Sequence, residues 1–513
     1  MAVSTVSSDA KALFGIALAL IGFAVLIDIE AIAWLIGPVV VVLLLVAMTK
    51  VPLRVSLLTL MFCALTLENP AEVPAAGVWG SPLYPVGGLL LNHMNQTTGV
   101  KIMFMSGMDI ALISLLLIGL RRESAKARID RAGRVATPRP LVKLAQVSLA
   151  GTAFVLISGA IRGGDMGIAL WQMDRVVYLP LVFYLFHLGL RGPADLIALG
   201  KVILAAATFR AIAATYIIHT FYVPKDENGI IQILPYATTH HDSVLFASGI
   251  LVLFALAFTR ALGKKHRYIW AAVPIIMLGM VSNHRRMVWV QVLLVPVALY
   301  LFTPTNRYKK KAQRIALMCA PFVTMYALAG WNSGSSLFKP VRIMRTVVDS
   351  KADNSTLWRE IENFDLISTI RDNPLFGTGY GRPYNEVVTL PAVDYPLEKF
   401  LPHNSILGML SYSGYFGFAA MSLLWAAGAF FAMRAYYAAK DAFDRAAALS
   451  CFGIVQVYLV QCWGDLGLGS WTGVFLIAPA IATAGKLTVA LGAWQDKKPK
   501  ADLPGRDSEV SSA

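Results

Sequence analysis

The sequence predicts an all-α protein, a polytopic bundle of transmembrane helices. Three observations carry that expectation. The 513 residues are 57% hydrophobic and only 15% charged, with a mean hydropathy of +0.62, whereas soluble domains average about 45–50% apolar and about 25% charged. Apolar segments of roughly the 17–25 residues that a bilayer requires recur about fourteen times. Basic residues then collect in alternate connections between those segments.

The apolar segments lie near 12–28, 31–49, 52–67, 101–120, 144–161, 176–190, 196–219, 243–261, 269–283, 287–303, 315–331, 414–435, 446–464 and 470–490. The first is followed at once by a second, so it reads as a retained span rather than a cleaved signal. Lys50 and Arg54, the run from Arg121 to Lys143, Arg260 to Arg267, Arg307 to Arg314, Lys440 with Arg445, and Lys497 with Lys498 all fall on one side. The positive-inside rule assigns that side, and both termini, to the cytoplasm. The net charge of +15 is thereby explained by orientation, with no nucleic-acid partner implied. Cys63, Cys319, Cys451 and Cys462 sit in apolar runs without metal spacing and read as small core residues.

Five regions follow from this reading. Residues 1–242 form an N-terminal bundle with an outer loop at 68–100, and 243–331 carry central spans with a tight turn at Arg285 and Arg286. Residues 332–412 form a long outer loop, 413–494 the last spans, and 495–513 a polar tail expected to be disordered on the cytoplasmic side. In the long loop, Leu357, Trp358, Ile361, Phe364, Ile367 and Ile370 recur at helical spacing. Asp353, Asn354 or Ser355 can cap that helix and Asn373-Pro374 can stop it. The pattern predicts an amphipathic helix on or across the outer mouth of the bundle.

Polar chemistry concentrates at few places. A charge at membrane depth costs on the order of 2.5–3.5 kcal/mol, so such groups face a partner or a wet cavity. Arg286 and Arg285 stand at an outer turn, against the charge bias, and are candidates for binding an anion; the alternative is snorkelling to headgroups. Arg210, mid-span, and Arg175, at the start of a span, are candidates for ligand binding or for ion pairs with Asp109 or Asp174. His403 is a candidate acid–base residue, with Asn404 beside it as ligand contact or helix cap. His240-His241-Asp242 lacks the third and fourth ligands of a metal site at recognisable spacing, so no metal and no cofactor are expected. The glycine-rich stretch Asn373 to Gly381 lacks the lysine of a phosphate loop, which argues against a nucleotide.

Taken together, Ser355-x-x-x-Arg359, Asn373-Pro374-Leu375-Phe376-Gly377-x-Gly379-x-Gly381, His403-Asn404 and Gly414-x-x-Gly417 resemble the O-antigen ligase and O-antigen polymerase family in order and approximate separation. Arg286 followed by Val288-Trp289 is similar to that family's Ser-Arg-Gly element, with Arg285 and Met287 in place of the serine and glycine. The resemblance covers roughly the half of the chain from the eighth span onward. It implies a lipid-dependent, GT-C-like glycosyltransferase of the bacterial inner membrane, with its active site facing the periplasm. Such enzymes move a glycan en bloc from undecaprenyl diphosphate to an acceptor sugar. By residue, it implies His403 as base and Arg286 and Arg359 as diphosphate binders.

Nearby arginines are expected to lower the His403 pKa and keep the imidazole neutral. The turn at Asp28-Ile29-Glu30 is similar to a metal-binding acidic pair of some lipid-dependent glycosyltransferases, but a hairpin tip fits so short a turn better. The implied partners are the lipid-linked oligosaccharide, an acceptor glycan (lipid-linked or lipid A–core), membrane lipids, and chain-length regulator and flippase proteins. About fourteen spans favours a polysaccharide polymerase, with a ligase or a protein O-oligosaccharyltransferase as the alternative. A transporter of lipid-linked sugars is disfavoured, since no internal repeat is evident. A scaffold would leave the arginines and the histidine as unexplained costs.

Overall fold

A computed structural model describes residues 50–68, 83–93, 105–125, 133–220, 237–305, 307–338, 341, 345, 354–389 and 399–496. Among these the architecture is all-helical. Helices run α1 Leu53–Thr66, α2 Leu83–Leu91, α3 Gly107–Ser124, α4 Arg139–Ile161, α5 Met166–Gly189, α6 Leu196–Thr220 and α7 Asp242–Thr259. They continue as α8 Ala272–Ser282, α9 Arg286–Phe302, α10 Arg307–Gly330, α11 Asn354–Asp372, α12 Ser405–Ala438, α13 Ala442–Gly464 and α14 Trp471–Ala490.

Seven of the described helices are long and apolar enough to cross a membrane, and an eighth if α5, bent by 42° at Arg175, is one span. Three more apolar helices, Leu53–Thr66, His266–Ser282 and Arg286–Phe302, are shorter. The expected number of about fourteen spans is therefore not reached among the described residues, and the expected spans at 12–28 and 31–49 lie outside them, as does Asp28-Ile29-Glu30. The polar tail is described only to Asp496.

The bundle is built around α14, whose alanine-rich sequence (Ala478, Ala480, Ala482, Ala484) is buried on all sides. Small residues let neighbouring backbones approach, the main source of helix contact in lipid. α12, α13, α5 and α7 pack around it. Among the described residues α10 stands apart, with Leu317, Met318, Phe322 and Leu328 exposed.

The turns gather at two ends. One end holds the basic connections. There Arg54 pairs with Asp195 at 3.1 Å, Arg134 with Glu123 at 2.7 Å, and buried Lys486 donates to the Val135 carbonyl at 2.8 Å. The other end holds the 162–165 turn, the 237–241 segment, the 283–285 turn, α11 and the start of α12.

At that second end the glycine motif is spliced into a helix. α12 is broken at Gly414 (φ 61°, ψ −175°), which frees the groups that would have bonded across the break. The carbonyls of Ser411 and Tyr412 accept instead from the N–H groups of Thr378 and Gly379, at 3.0 and 2.9 Å. The N–H groups of Tyr415 and Phe416 donate to the carbonyls of Pro374 and Leu375, at 2.8 and 3.2 Å. A Cβ on Gly414 would lie 2.4 Å from the Leu375 carbonyl oxygen, and one on Gly379 would lie 2.4 Å from the Gly159 Cα. The loop and the helix thus hold each other, and α12 begins at Ser405, inside the stretch expected to be loop.

Candidate functional site

A cavity of about 1310 Å³ opens at the loop end, between α9, α11, α12 and α13. It gathers Arg285, Arg286, Arg359, His403 and Asn404, which are far apart in sequence. Below them the walls turn apolar, with Val290 and Leu294 from α9, Phe418 and Trp425 from α12, and Leu459 and Trp463 from α13.

The arginines are placed by helix geometry. The turn between α8 and α9 is tight, with His284 in the left-handed region at φ 54°, so Arg285 falls at the N-cap position of α9 and Arg286 at its first turn. A cation is disfavoured beside the positive end of the helix dipole, so helix stability does not explain these side chains. Asn283 fixes the turn: its Oδ1 accepts from the Thr238 N–H and hydroxyl, both at 3.0 Å. α9 is further tied to α13 by a buried hydrogen bond from Gln291 Nε2 to Gln461 Oε1 at 2.8 Å.

α11 presents a polar stripe inward, at three- and four-residue spacing. Arg359 lines the cavity, and its buried Nε makes no hydrogen bond. One turn on, Glu362, 3% exposed, grips His403. Its Oε2 accepts the His403 backbone N–H at 3.0 Å, and its Oε1 lies 3.3 Å from Nδ1. A carboxylate accepts, so Nδ1–H is the donor and Nε2 is the ring nitrogen that carries the lone pair. Asp365 Oδ1 then accepts the N–H groups of Val387 and Val388 at 3.0 Å, and the Thr369 hydroxyl accepts the Asn385 N–H at 2.9 Å. The helix is therefore the frame on which the His403 segment and the 385–388 arm hang.

That arrangement corrects one expectation and shows how the helix faces. Of the apolar residues at helical spacing, Leu357, Trp358, Phe364 and Ile367 are exposed, Ile361 is half-buried and Ile370 is buried with Leu366, so the face packed against the protein mixes these two with Glu362, Asp365 and Thr369. The His403 pKa is raised, not lowered. The hydrogen bond to Glu362 is the largest influence, and it outweighs both burial and the opposing Arg359 charge.

Asn404 caps a helix and also lines the cavity. Its Oδ1 caps α12 by accepting the Leu407 N–H at 3.1 Å, while its buried Nδ2 makes no hydrogen bond and the residue lines the cavity. Arg210 is placed elsewhere. It is 1% exposed and held by Asp242, with Nη2 to Oδ2 at 2.8 Å, and by Glu68 at 3.1 Å. Its partners are therefore neither Asp109, which caps α3 and accepts from the Tyr178 hydroxyl, nor Asp174, which pairs with His93. Burial pushes the Glu68 carboxyl up to about 7, against the pull of Arg210. Arg175 marks the bend in α5.

One charged cavity residue, Asp465, is not signalled by the sequence, and His240 is considered there only within a metal-like run. Asp465, between α13 and α14, pairs with His240 at 3.1 Å, and both line the cavity. Burial alone would raise the Asp465 carboxyl, but His240, Arg359 and the Leu466 N–H hold it well below the usual carboxylate range. Nothing in the spacing of a single acid at the end of a span signals this.

The arrangement can hold an amphipathic anion: guanidiniums for its head, an apolar slot for its tail, and an imidazole edge beside the head. Residues 270–422 match the O-antigen ligase family model, a stretch that contains Arg285, Arg286, Arg359, His403 and Asn404. This stretch is an O-antigen ligase family domain. With seven described helices long and apolar enough to cross a membrane, the chain is a multi-pass membrane protein. Members of the O-antigen ligase family are glycosyltransferase-like ligases and polymerases that work on lipid-linked glycans. No curated protein matches the chain. His240, Asp465, Arg210 and Arg175 all lie outside the O-antigen ligase match.

Proposed function

We propose that the protein is a polysaccharide polymerase of the bacterial inner membrane. It transfers a glycan en bloc from undecaprenyl diphosphate to a hydroxyl of another lipid-linked glycan. The observation that carries the reading is the single cavity joining Arg286, Arg359 and His403 above an apolar slot. The polyprenyl chain lies along the slot, and the diphosphate meets the guanidiniums. These take up the charge that develops as the glycosidic bond breaks, bidentately and without need of a metal. His403, oriented through Nδ1 by Glu362, takes the acceptor proton at Nε2. Arg285 and Asn404 complete the donor side. The basic end faces the cytoplasm and the cavity faces the periplasm. Arg210 is assigned to structure rather than to substrate.

A ligase acting on lipid A–core is the second reading, favoured by the description of the matching family. Purified protein given undecaprenyl-diphosphate oligosaccharide as donor and acceptor, with a chelator present, is expected to build product ladders. Transfer only after addition of lipid A–core would establish the ligase instead. Labelled lipid crossing the bilayer without transfer would refute both.

A further inference from the structure

The polar side chains of α11 fall into two sets. Glu362, Asp365 and Thr369 are each bonded to backbone of the loop segments above the helix. Arg359, Glu360 and Asn363 line the cavity instead. Asn363 follows Arg359 by four residues and Glu360 by three, the spacings at which helix side chains are neighbours. It also directly follows Glu362, the residue that grips His403. Asn363 is therefore placed one turn from the proposed diphosphate contact and next to the support of the proposed base.

Asn363 is half-buried, and its Oδ1 is buried with no hydrogen-bond partner. Helix formation does not explain the residue, because asparagine is a poor helix former. Packing does not either, because a buried polar atom left unbonded is a net cost. The plain alternative is a solvated surface side chain, but a solvated amide does not bury its oxygen. The χ2 torsion of asparagine is soft, so a ligand that bonds the carboxamide can draw either end to it.

The chemistry of the three side chains sorts what they can meet. Arg359 only donates, which suits phosphate. The Glu360 carboxylate only accepts, and it repels a phosphate placed beside it. The Asn363 carboxamide both donates and accepts. An ionised diphosphate has no hydrogen to give, so it cannot serve Glu360 or the Asn363 oxygen. A sugar hydroxyl gives and receives, and serves both.

We infer that Asn363 is a sugar-recognition residue, whose carboxamide hydrogen-bonds a hydroxyl of a sugar held beside His403. Glu360 marks the same edge of the cavity as facing sugar rather than phosphate. The sugar transferred and the sugar that accepts it both present such hydroxyls. This role rests on the proposed reading of the cavity as a glycosyl-transfer site, and adds a glycan contact to its phosphate contacts.

The test uses the full chain in nanodiscs, with undecaprenyl diphosphate and undecaprenyl-diphosphate oligosaccharide as probes. Trp425 and Trp463 line the cavity, so their fluorescence reads binding. Asn363→Leu removes both ends of the carboxamide at similar volume. It is expected to bind the sugar-free lipid as wild type does, which also shows that the site is folded. It should lose about tenfold either in affinity for the glycosylated lipid or in KM for a separately labelled acceptor at saturating donor, the scale of one hydrogen bond. Loss in binding assigns the contact to the transferred sugar, and loss confined to the acceptor KM assigns it to the accepting one. Asn363→Gln keeps the carboxamide and should recover most of the loss. Affinity and KM unchanged in Asn363→Leu would overturn the inference. So would equal loss of both lipids, in Asn363→Leu and again in the smaller Asn363→Ala, which would mark a phosphate contact or a structural role. Wild type that bound neither lipid would sink the proposed function itself, and the sugar contact with it.

Discussion

His403 is defined by its neighbours. Because Glu362 raises its pKa, the imidazole is neutral only at higher pH than an ordinary histidine, and a base must be neutral to act. The acid limb of the transfer rate is therefore expected above the ordinary histidine range. In Glu362→Gln it should move to lower pH, measured as initial rate against pH; a limb that stays in place would contradict the pairing. Arg359, His403 and Asn404 were legible in the sequence because each belongs to a motif, and Arg285 and Arg286 because they defy the charge bias. Glu362 was hidden among the other polar residues of its helix. Arg210 was recognised as anomalous, but its partners Glu68 and Asp242 come from distant segments that only the fold brings together. Arg210→Leu leaves two buried carboxylates uncompensated and should cost about 3–5 kcal/mol, seen as a lower unfolding temperature. The surviving folded fraction should keep the wild-type donor KM.

Two elements depend on each other, the glycine-rich loop and the broken helix α12. The four hydrogen bonds across Gly414 explain why the Pro374–Gly379 stretch and Gly414 occur in one sequence. Spacing alone shows neither the break nor its repair. Gly414→Ala forces a side chain into a glycine-only conformation and against the Leu375 carbonyl, so a loss of at least about 1–3 kcal/mol is expected. Thermal unfolding in detergent checks it, with Gly163→Ala as a control, since that glycine also has positive φ but no neighbour within 4 Å of an added Cβ. α11 was legible as a helix over 354–372, because apolar periodicity and the Asn373-Pro374 stop both mark it. Its facing was not, since periodicity reports a stripe and not what covers it. Here the buried stripe is mixed: beside Leu366 and Ile370 it carries Glu362, Asp365 and Thr369, which hold the loop above it.

For the whole molecule, the separation of a basic end from the end that holds the cavity was legible, because charge at the connections is a property of sequence. Span number was less so. Apolar length does not distinguish a crossing helix from shorter ones such as α1 and α9, or from the bent α5. The two ends also explain why the site is assembled from α9, α11, α12 and the α13–α14 connection: only at that end do their termini meet. Single-turnover transfer from undecaprenyl-diphosphate oligosaccharide, by wild type and His403→Ala with donor binding recorded alongside, separates the chemical step at His403 from binding. His403→Ala is expected to bind donor normally and to transfer about 10²–10⁴-fold more slowly. Transfer at the wild-type rate by His403→Ala would rule out His403 as the base.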